Sequence, residues 1–93
     1  MNEELKERLV EFKESKPQSS ATDDYAQKRV DNKYDDILEA VDENEGKELY
    51  TILEDMMSDD YYNYIHRGYS ALDEDIWEEI LSIVGEYVVE GEE

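Results

Sequence analysis

Twenty-eight acidic side chains against nine basic ones leave this 93-residue chain with a formal charge of −19. That excess constrains the fold before any pattern is read, because like charges held in a small volume repel one another and destabilise the compact state. A chain of this length has little core with which to offset the repulsion. The acidity is therefore read as functional, and the partner it implies is a cationic surface.

The charge is also uneven. Residues 1–47 carry 14 acids and 8 bases, whereas residues 48–93 carry 14 acids and Arg67 as their only base. Asymmetry of this kind points to a charged partner. The plainer readings are a well-solvated acidic surface or adaptation to salt. Salt adaptation fits poorly, because lysines remain common and the net charge concentrates in one half.

Apolar residues make up 39% of the chain, and eight tyrosines, one tryptophan and one phenylalanine are present. A disordered acidic segment would be poor in aromatics, so one small folded domain is expected over residues 1–89, with 90–93 as a frayed acidic tail. Cysteine is absent, which removes disulfides and thiolate metal sites and suits a cytosolic protein. No apolar run approaches a membrane span, and an anionic membrane surface would repel the chain. Met1-Asn2-Glu3-Glu4 lacks the basic start and apolar stretch of a signal peptide.

Periodicity predicts helices. A first runs from Glu3 to about Lys16, with Asn2 as cap and Leu5, Leu9 and Phe12 on one face, and Pro17 ends it. Thr22 is expected to cap a second, with Asp23-Asp24 in its first turn and Ala26, Val30, Tyr34, Ile37, Leu38 and Val41 at the helical period; Asn44 and Gly46 offer a stop. A third spans about Lys47 to Met57 on Leu49, Ile52, Leu53, Met56 and Met57. Ser58-Asp59-Asp60 is read as the cap of a short fourth helix reaching Arg67 and closed by Gly68, although the aromatic run Tyr61–Ile65 also suits a strand. The last helix, about Asp73 to Val88, places Leu72, Ile76, Trp77, Ile80, Leu81, Ile83, Val84, Tyr87 and Val88 in one sector. Leu72 and Trp77 are set as a hydrophobic staple around an Asp73 cap. The β-branched residues of Ile83–Val89 would also support a strand. The fold class that follows is all-α, a single-domain bundle of four to five short helices.

Catalytic patterns are missing. No nucleophile-elbow glycines surround a serine. The lone His66, beside Arg67 and among tyrosines, reads as a surface or partner contact. Asp42-Glu43-Asn44-Glu45-Gly46 resembles the start of a calcium loop, but its glycine comes one place early and Leu53 occupies the closing glutamate position. The chain has no Glu-x-x-His pair for a di-iron site and no phosphate-cradling glycine loop. No enzyme activity, no metal and no cofactor is expected. Direct nucleic-acid binding is disfavoured too, since it rests on Lys and Arg neutralising phosphates.

The density of charge carries more information. Asp73, Glu74, Asp75, Glu78, Glu79 and Glu86 span 14 residues, roughly 21 Å of helix at about 1.5 Å per residue. That is about one charge per 3.5 Å, close to the roughly 3.4 Å spacing of phosphates along one DNA strand. The second helix adds further acids, partly cancelled by Lys28, Arg29 and Lys33 through pairs one turn apart. Beside these rows stand Tyr61, Tyr62, Tyr64 and Tyr69, flanked by Asp59 and Asp60. Three tyrosines within four residues cannot all face a helical core, and tyrosine is enriched at interface hot spots.

In charge, size, lack of cysteine and interspersed tyrosines, the chain resembles the DNA-mimic inhibitors of bacteriophages, of the anti-restriction and anti-CRISPR type. The resemblance implies a phage protein, without catalysis, that acts in the cytoplasm of a bacterial host cell. It would occupy the basic nucleic-acid channel of a restriction enzyme or CRISPR effector, as a monomer or homodimer. Tyr61-Tyr62 after Asp59-Asp60 is also similar to the acid-flanked Tyr-Tyr pair of the helical immunity proteins of nuclease bacteriocins, although the proline that follows that pair is missing. The alternative functions are therefore an immunity protein or antitoxin against a basic nuclease, or an acidic adaptor or chaperone. The expected partner-binding residues are Asp59, Asp60, Tyr61, Tyr62, Tyr64, Tyr69, Asp73, Glu74, Asp75, Glu78, Glu79 and Glu86.

Overall fold

Four amphipathic segments pack their apolar faces on a shared core. The computed structural model describes the backbone of residues 2–92 and the side chains of residues 3–87. It contains α1 (Asn2–Ser15), α2 (Ala26–Glu43), α3 (Gly46–Arg67) and α4 (Glu74–Glu92), with no strand among the described residues. Each helix packs on two others, in the ring α1–α2–α3–α4–α1. Ion pairs set the directions: Lys6 meets Asp42 and Lys13 meets Asp31, while Arg8 meets Glu86 and Lys16 meets Glu79. Rising numbers on α1 meet falling numbers on α2 and α4, so the bundle is antiparallel around the ring.

The core follows the expected periodicity. Leu5 and Leu9 of α1, Val30, Tyr34, Ile37 and Val41 of α2, and Leu49 and Leu53 of α3 are buried. From α4 and the residues before it come Leu72, Ile76, Trp77, Ile80, Leu81 and Val84. Val88, expected on the same face, lies outside the described side chains. The segment Ile83–Val89 is helical, and α4 runs to Glu92, into the stretch expected to fray; Glu93 is outside the described residues.

Two boundaries differ from the sequence expectation. α2 begins at Ala26 rather than after Thr22, because Asp23 folds the chain into a local turn: its carboxylate accepts the Tyr25 N–H at 2.9 Å and its carbonyl accepts the Ala26 N–H at 3.1 Å. Such side-chain-to-backbone bonds compete with helix. The larger correction concerns α3, which is one helix of 22 residues where two were expected. Ser58-Asp59-Asp60 does not cap anything, since Asp60 turns inward. With no Gly or Pro between Lys47 and Arg67, nothing breaks the helix, and Tyr61–Ile65 is helical. α3 ends where Gly68 takes up a φ of 85° and donates its N–H to the Tyr64 carbonyl at 3.0 Å, the left-handed closure that glycine permits.

The long connection from α1 to α2 is held by Gln18, which is 4% exposed. Its amide N–H group donates to the carbonyls of Phe12 and Lys16, its amide oxygen accepts the Tyr34 hydroxyl, and its backbone carbonyl accepts the Asp73 N–H. The Gln18 side chain thus closes α1 and fastens it to α2, and its backbone carbonyl fastens the connection to the start of α4. No helix among the described residues is long and apolar enough to cross a membrane.

Candidate acidic and aromatic interface

The end of α3 and the beginning of α4 are locked together by a buried carboxylate. Asp60 is 2% exposed and accepts three hydrogen bonds: from the N–H of Ala71 at 2.8 Å, from the N–H of Leu72 at 3.0 Å and from the indole N–H of Trp77 at 2.9 Å. A buried charge is tolerated when its acceptor positions are filled in this way. Asp60 therefore fixes the loop between α3 and α4, and its expected place on a partner surface is corrected.

Beyond Asp60 the same helix carries large exposed side chains. Tyr61, Tyr62, Tyr64 and Ile65 are exposed by 54%, 61%, 56% and 60%, large fractions for a contiguous apolar set. Tyr61 and Tyr64, one turn apart, line a concavity together with Met57. Tyr62 lies on the adjoining face and stacks on His66, one turn on, with ring centroids 4.0 Å apart. Tyr69, past the end of α3, is also exposed, but the Arg29 guanidinium sits 4.6 Å over its ring and bonds the Asp23 carboxylate at 2.9 Å.

The concavity has a volume of about 410 Å³. Leu72 and Trp77, both buried, form its apolar base; Ser20, Ser58 and Ser70 and the acids Asp73, Glu74 and Asp75 complete its lining. Five of the twelve expected site residues, Tyr61, Tyr64, Asp73, Glu74 and Asp75, thus border one depression.

The acids of α4 fall into two groups. Glu79 bonds Lys16 at 2.7 Å and Glu86 bonds Arg8 at 2.9 Å, so these two are partly neutralised and tie α4 to α1 and its flank. Asp73 is half-buried, and its carboxylate accepts the backbone N–H and hydroxyl of Ser20 at 3.0 and 3.3 Å. It therefore pins the preceding connection instead of capping α4 through its side chain, although its carbonyl does accept the Trp77 N–H at 3.1 Å. Of the expected partner-binding acids, Glu79 and Glu86 are thus tied up in ion pairs within the chain, and Asp73, expected as a cap, pins Ser20 with its side chain. Glu74, Asp75 and Glu78, and Asp59 on α3, are exposed, and no hydrogen bond or ion pair among the described residues engages them.

Sequence reading anticipated base–acid pairs within α2. Instead the bases of α1 and its flank reach across to α2 and α4, while Arg29 reaches back to Asp23. Lys13, with help from Gln27, holds the Asp31 carboxyl below its ordinary value, and Arg29 does the same for Asp23. Hydrogen bonding to Glu86 raises Arg8. α1 does not pack on α3, so its bases compensate the side of the molecule away from the exposed tyrosines. Gln18 carried no sequence signal beyond its residue type, and Arg29, expected to pair one turn away within the second helix, pairs instead with Asp23 six residues before it.

Among the described residues no cluster of three or more His, Asp or Glu side chains is arranged to hold a metal ion. No protein-family model matches the chain, and no significant match is found among curated proteins or solved structures.

Proposed function

We propose that this protein is a non-catalytic inhibitor that mimics nucleic acid and blocks the basic nucleic-acid-binding site of a target such as a CRISPR effector or restriction enzyme. The observation that supports the reading best is that Glu74 and Asp75 border one concavity with exposed Tyr61 and Tyr64, while no ion pair among the described residues engages these two acids or the exposed Asp59 and Glu78 of the same two helices. Unpaired carboxylates can meet the same lysines and arginines that meet phosphates, and their field steers a basic partner at long range. The exposed rings supply apolar anchor area that charge alone lacks.

Immobilised protein should retain a basic, nucleic-acid-binding protein from a bacterial lysate. Retention should fall steeply with salt, and duplex or single-stranded nucleic acid should displace the retained protein. If nucleic acid and this chain bind the partner simultaneously, mimicry is wrong.

A second reading is favoured by one observation, the exposure of Tyr61 and Tyr62, two and three residues after exposed Asp59, in the last turns of α3. That is the kind of surface an immunity protein would press against a basic nuclease. In that case the retained partner is a nuclease that is silenced while nucleic acid remains bound.

A further inference from the structure

The chain holds two of its own arginines with one recurring pair of groups. Arg29 lies 4.6 Å over the Tyr69 ring and bonds the Asp23 carboxylate at 2.9 Å. Arg8 lies 6.0 Å over the Tyr87 ring and bonds the Glu86 carboxylate at 2.9 Å. In each, a tyrosine face takes the flat guanidinium and a carboxylate takes its N–H groups. Lys13, 5.5 Å over Tyr34 and 2.8 Å from Asp31, and Lys16, 5.5 Å over Phe12 and 2.7 Å from Glu79, are held by the same kinds of group, and a planar, forked guanidinium matches ring and carboxylate together better than an ammonium does.

The concavity between α3 and α4 offers the same pair with no occupant from the chain. Tyr61 and Tyr64 line it, Glu74 and Asp75 stand on its border, and its lining includes no Lys, Arg or His. Its base adds what an arginine's methylene stem requires, the apolar surface of Met57, Leu72 and Trp77. At about 410 Å³ it can enclose a side chain. An anion is disfavoured by the carboxylates, and a purely apolar group would leave them desolvated beside it.

We propose that this cavity receives the side chain of an arginine presented by a basic protein partner, stacked on Tyr61 or Tyr64 and neutralised by Glu74 and Asp75. The inference rests on the reading above that the partner is a basic protein, and it names the contact through which that partner is anchored.

The test is an NMR titration of the full chain with acetyl-glycyl-arginyl-glycine amide, and with its lysine and citrulline counterparts. Citrulline keeps the planar shape and loses the charge. The arginine peptide should shift the Trp77 indole N–H and the amides of Tyr61, Tyr64, Glu74 and Asp75 in a saturable way. Citrulline should bind at least about tenfold more weakly, a difference of about 1.4 kcal/mol, and lysine should fall between. Glu74→Gln with Asp75→Asn should weaken the arginine peptide by about tenfold and leave the citrulline peptide unchanged. Tyr61→Ala with Tyr64→Ala should weaken both peptides, and Glu7→Gln with Glu11→Gln on α1 should alter neither.

Equal binding of arginine and citrulline, or shifts spread evenly over the acids of α1 and α2, would overturn the proposal. The two readings fail separately. If the peptide ignores the cavity while nucleic acid still displaces this chain from its partner, the arginine site is wrong and mimicry stands. If the peptide binds as described and nucleic acid does not compete for the partner, the site stands and mimicry is wrong.

Discussion

The indole N–H of Trp77, in the first turns of α4, donates to the buried carboxylate of Asp60 on α3 across 2.9 Å. The same carboxylate takes the N–H groups of Ala71 and Leu72. One side chain thus satisfies the loop backbone and holds the tryptophan that, with Tyr61 and Tyr64, lines the concavity between α3 and α4.

Asp60→Asn tests that arrangement with little change of shape. Three donors converge on the carboxylate, and an amide must place its own N–H₂ group against at least one of them. The loss should be about 1–3 kcal/mol, the cost of a buried group left without a partner. Trp77→Phe removes the indole donor, and in a double-mutant cycle the two changes should couple, because they share one bond. Urea unfolding measures both effects. Stability of Asp60→Asn within about 0.5 kcal/mol of the parent, the range of an ordinary surface change, would show that the buried network contributes little.

Much of this site was legible from the sequence, and the illegible part has a single physical origin. The apolar periods of α2 and α4 identify the core correctly, because burial there is one-sided and regular. Glu74, Asp75 and Glu78 are read correctly as exposed acids for the same reason. Asp60 is misread because Ser-Asp-Asp after an apolar stretch is a normal helix start. Only the tertiary partners Ala71, Leu72 and Trp77, which lie 11 to 17 residues away, show that the middle of a helix can use such a residue. Asp73 and Gln18 fail for the same reason: their bonds run between distant segments, where local pattern has no reach.

Tyr34 supplies a dependence on alkaline pH. Burial pushes its phenol well above the ordinary value of 10.0, and its hydroxyl donates to Gln18. A group whose folded-state value is raised gives stability that is full below its unfolded value. That stability is lost as pH rises from there toward the folded value. Stability should therefore decline from about pH 10 upward, and in an absorbance titration one of the eight phenols should stay un-ionised until the chain unfolds. Tyr34→Phe should flatten this decline while lowering stability at neutral pH, because the buried amide oxygen of Gln18 loses its donor. Ionisation of all eight phenols in the folded protein would contradict the burial argument.

Gly85 offers a gain instead of a loss. It lies inside α4, and a methyl group added there would meet the Tyr50 ring at 3.6 Å, an ordinary contact. Glycine in a helix interior is less favourable than alanine by about 0.5–1 kcal/mol. Gly85→Ala should raise stability by about that amount, measured by thermal or urea unfolding. A loss would mean that α3 and α4 pack too closely at this point to admit a methyl group.

The final prediction separates compensated from uncompensated acid. Lys6, Arg8 and Lys13 of α1, with Lys16 just beyond it, meet Asp42, Glu86, Asp31 and Glu79, so acids on that helix sit in a field already diluted by bases. Glu54 and Asp59 of α3 and Glu78 of α4 are exposed, and no ion pair among the described residues engages them. Replacing these three by Gln, Asn and Gln should raise the melting temperature at an ionic strength of about 0.01 M, where charges interact over about 30 Å. The gain should vanish near 1 M, where the reach is about 3 Å. The comparison is Glu7, Glu11 and Glu14 of α1 changed to Gln, which should give a smaller gain at low salt. Glu74 and Asp75 are left out because, in the first turn of α4, they favour the positive end of the helix and their removal would mask the effect. Equal gains from the two triples would mean that the repulsion is spread evenly over the molecule, and would remove the electrostatic reason for placing the partner surface at the junction of α3 and α4.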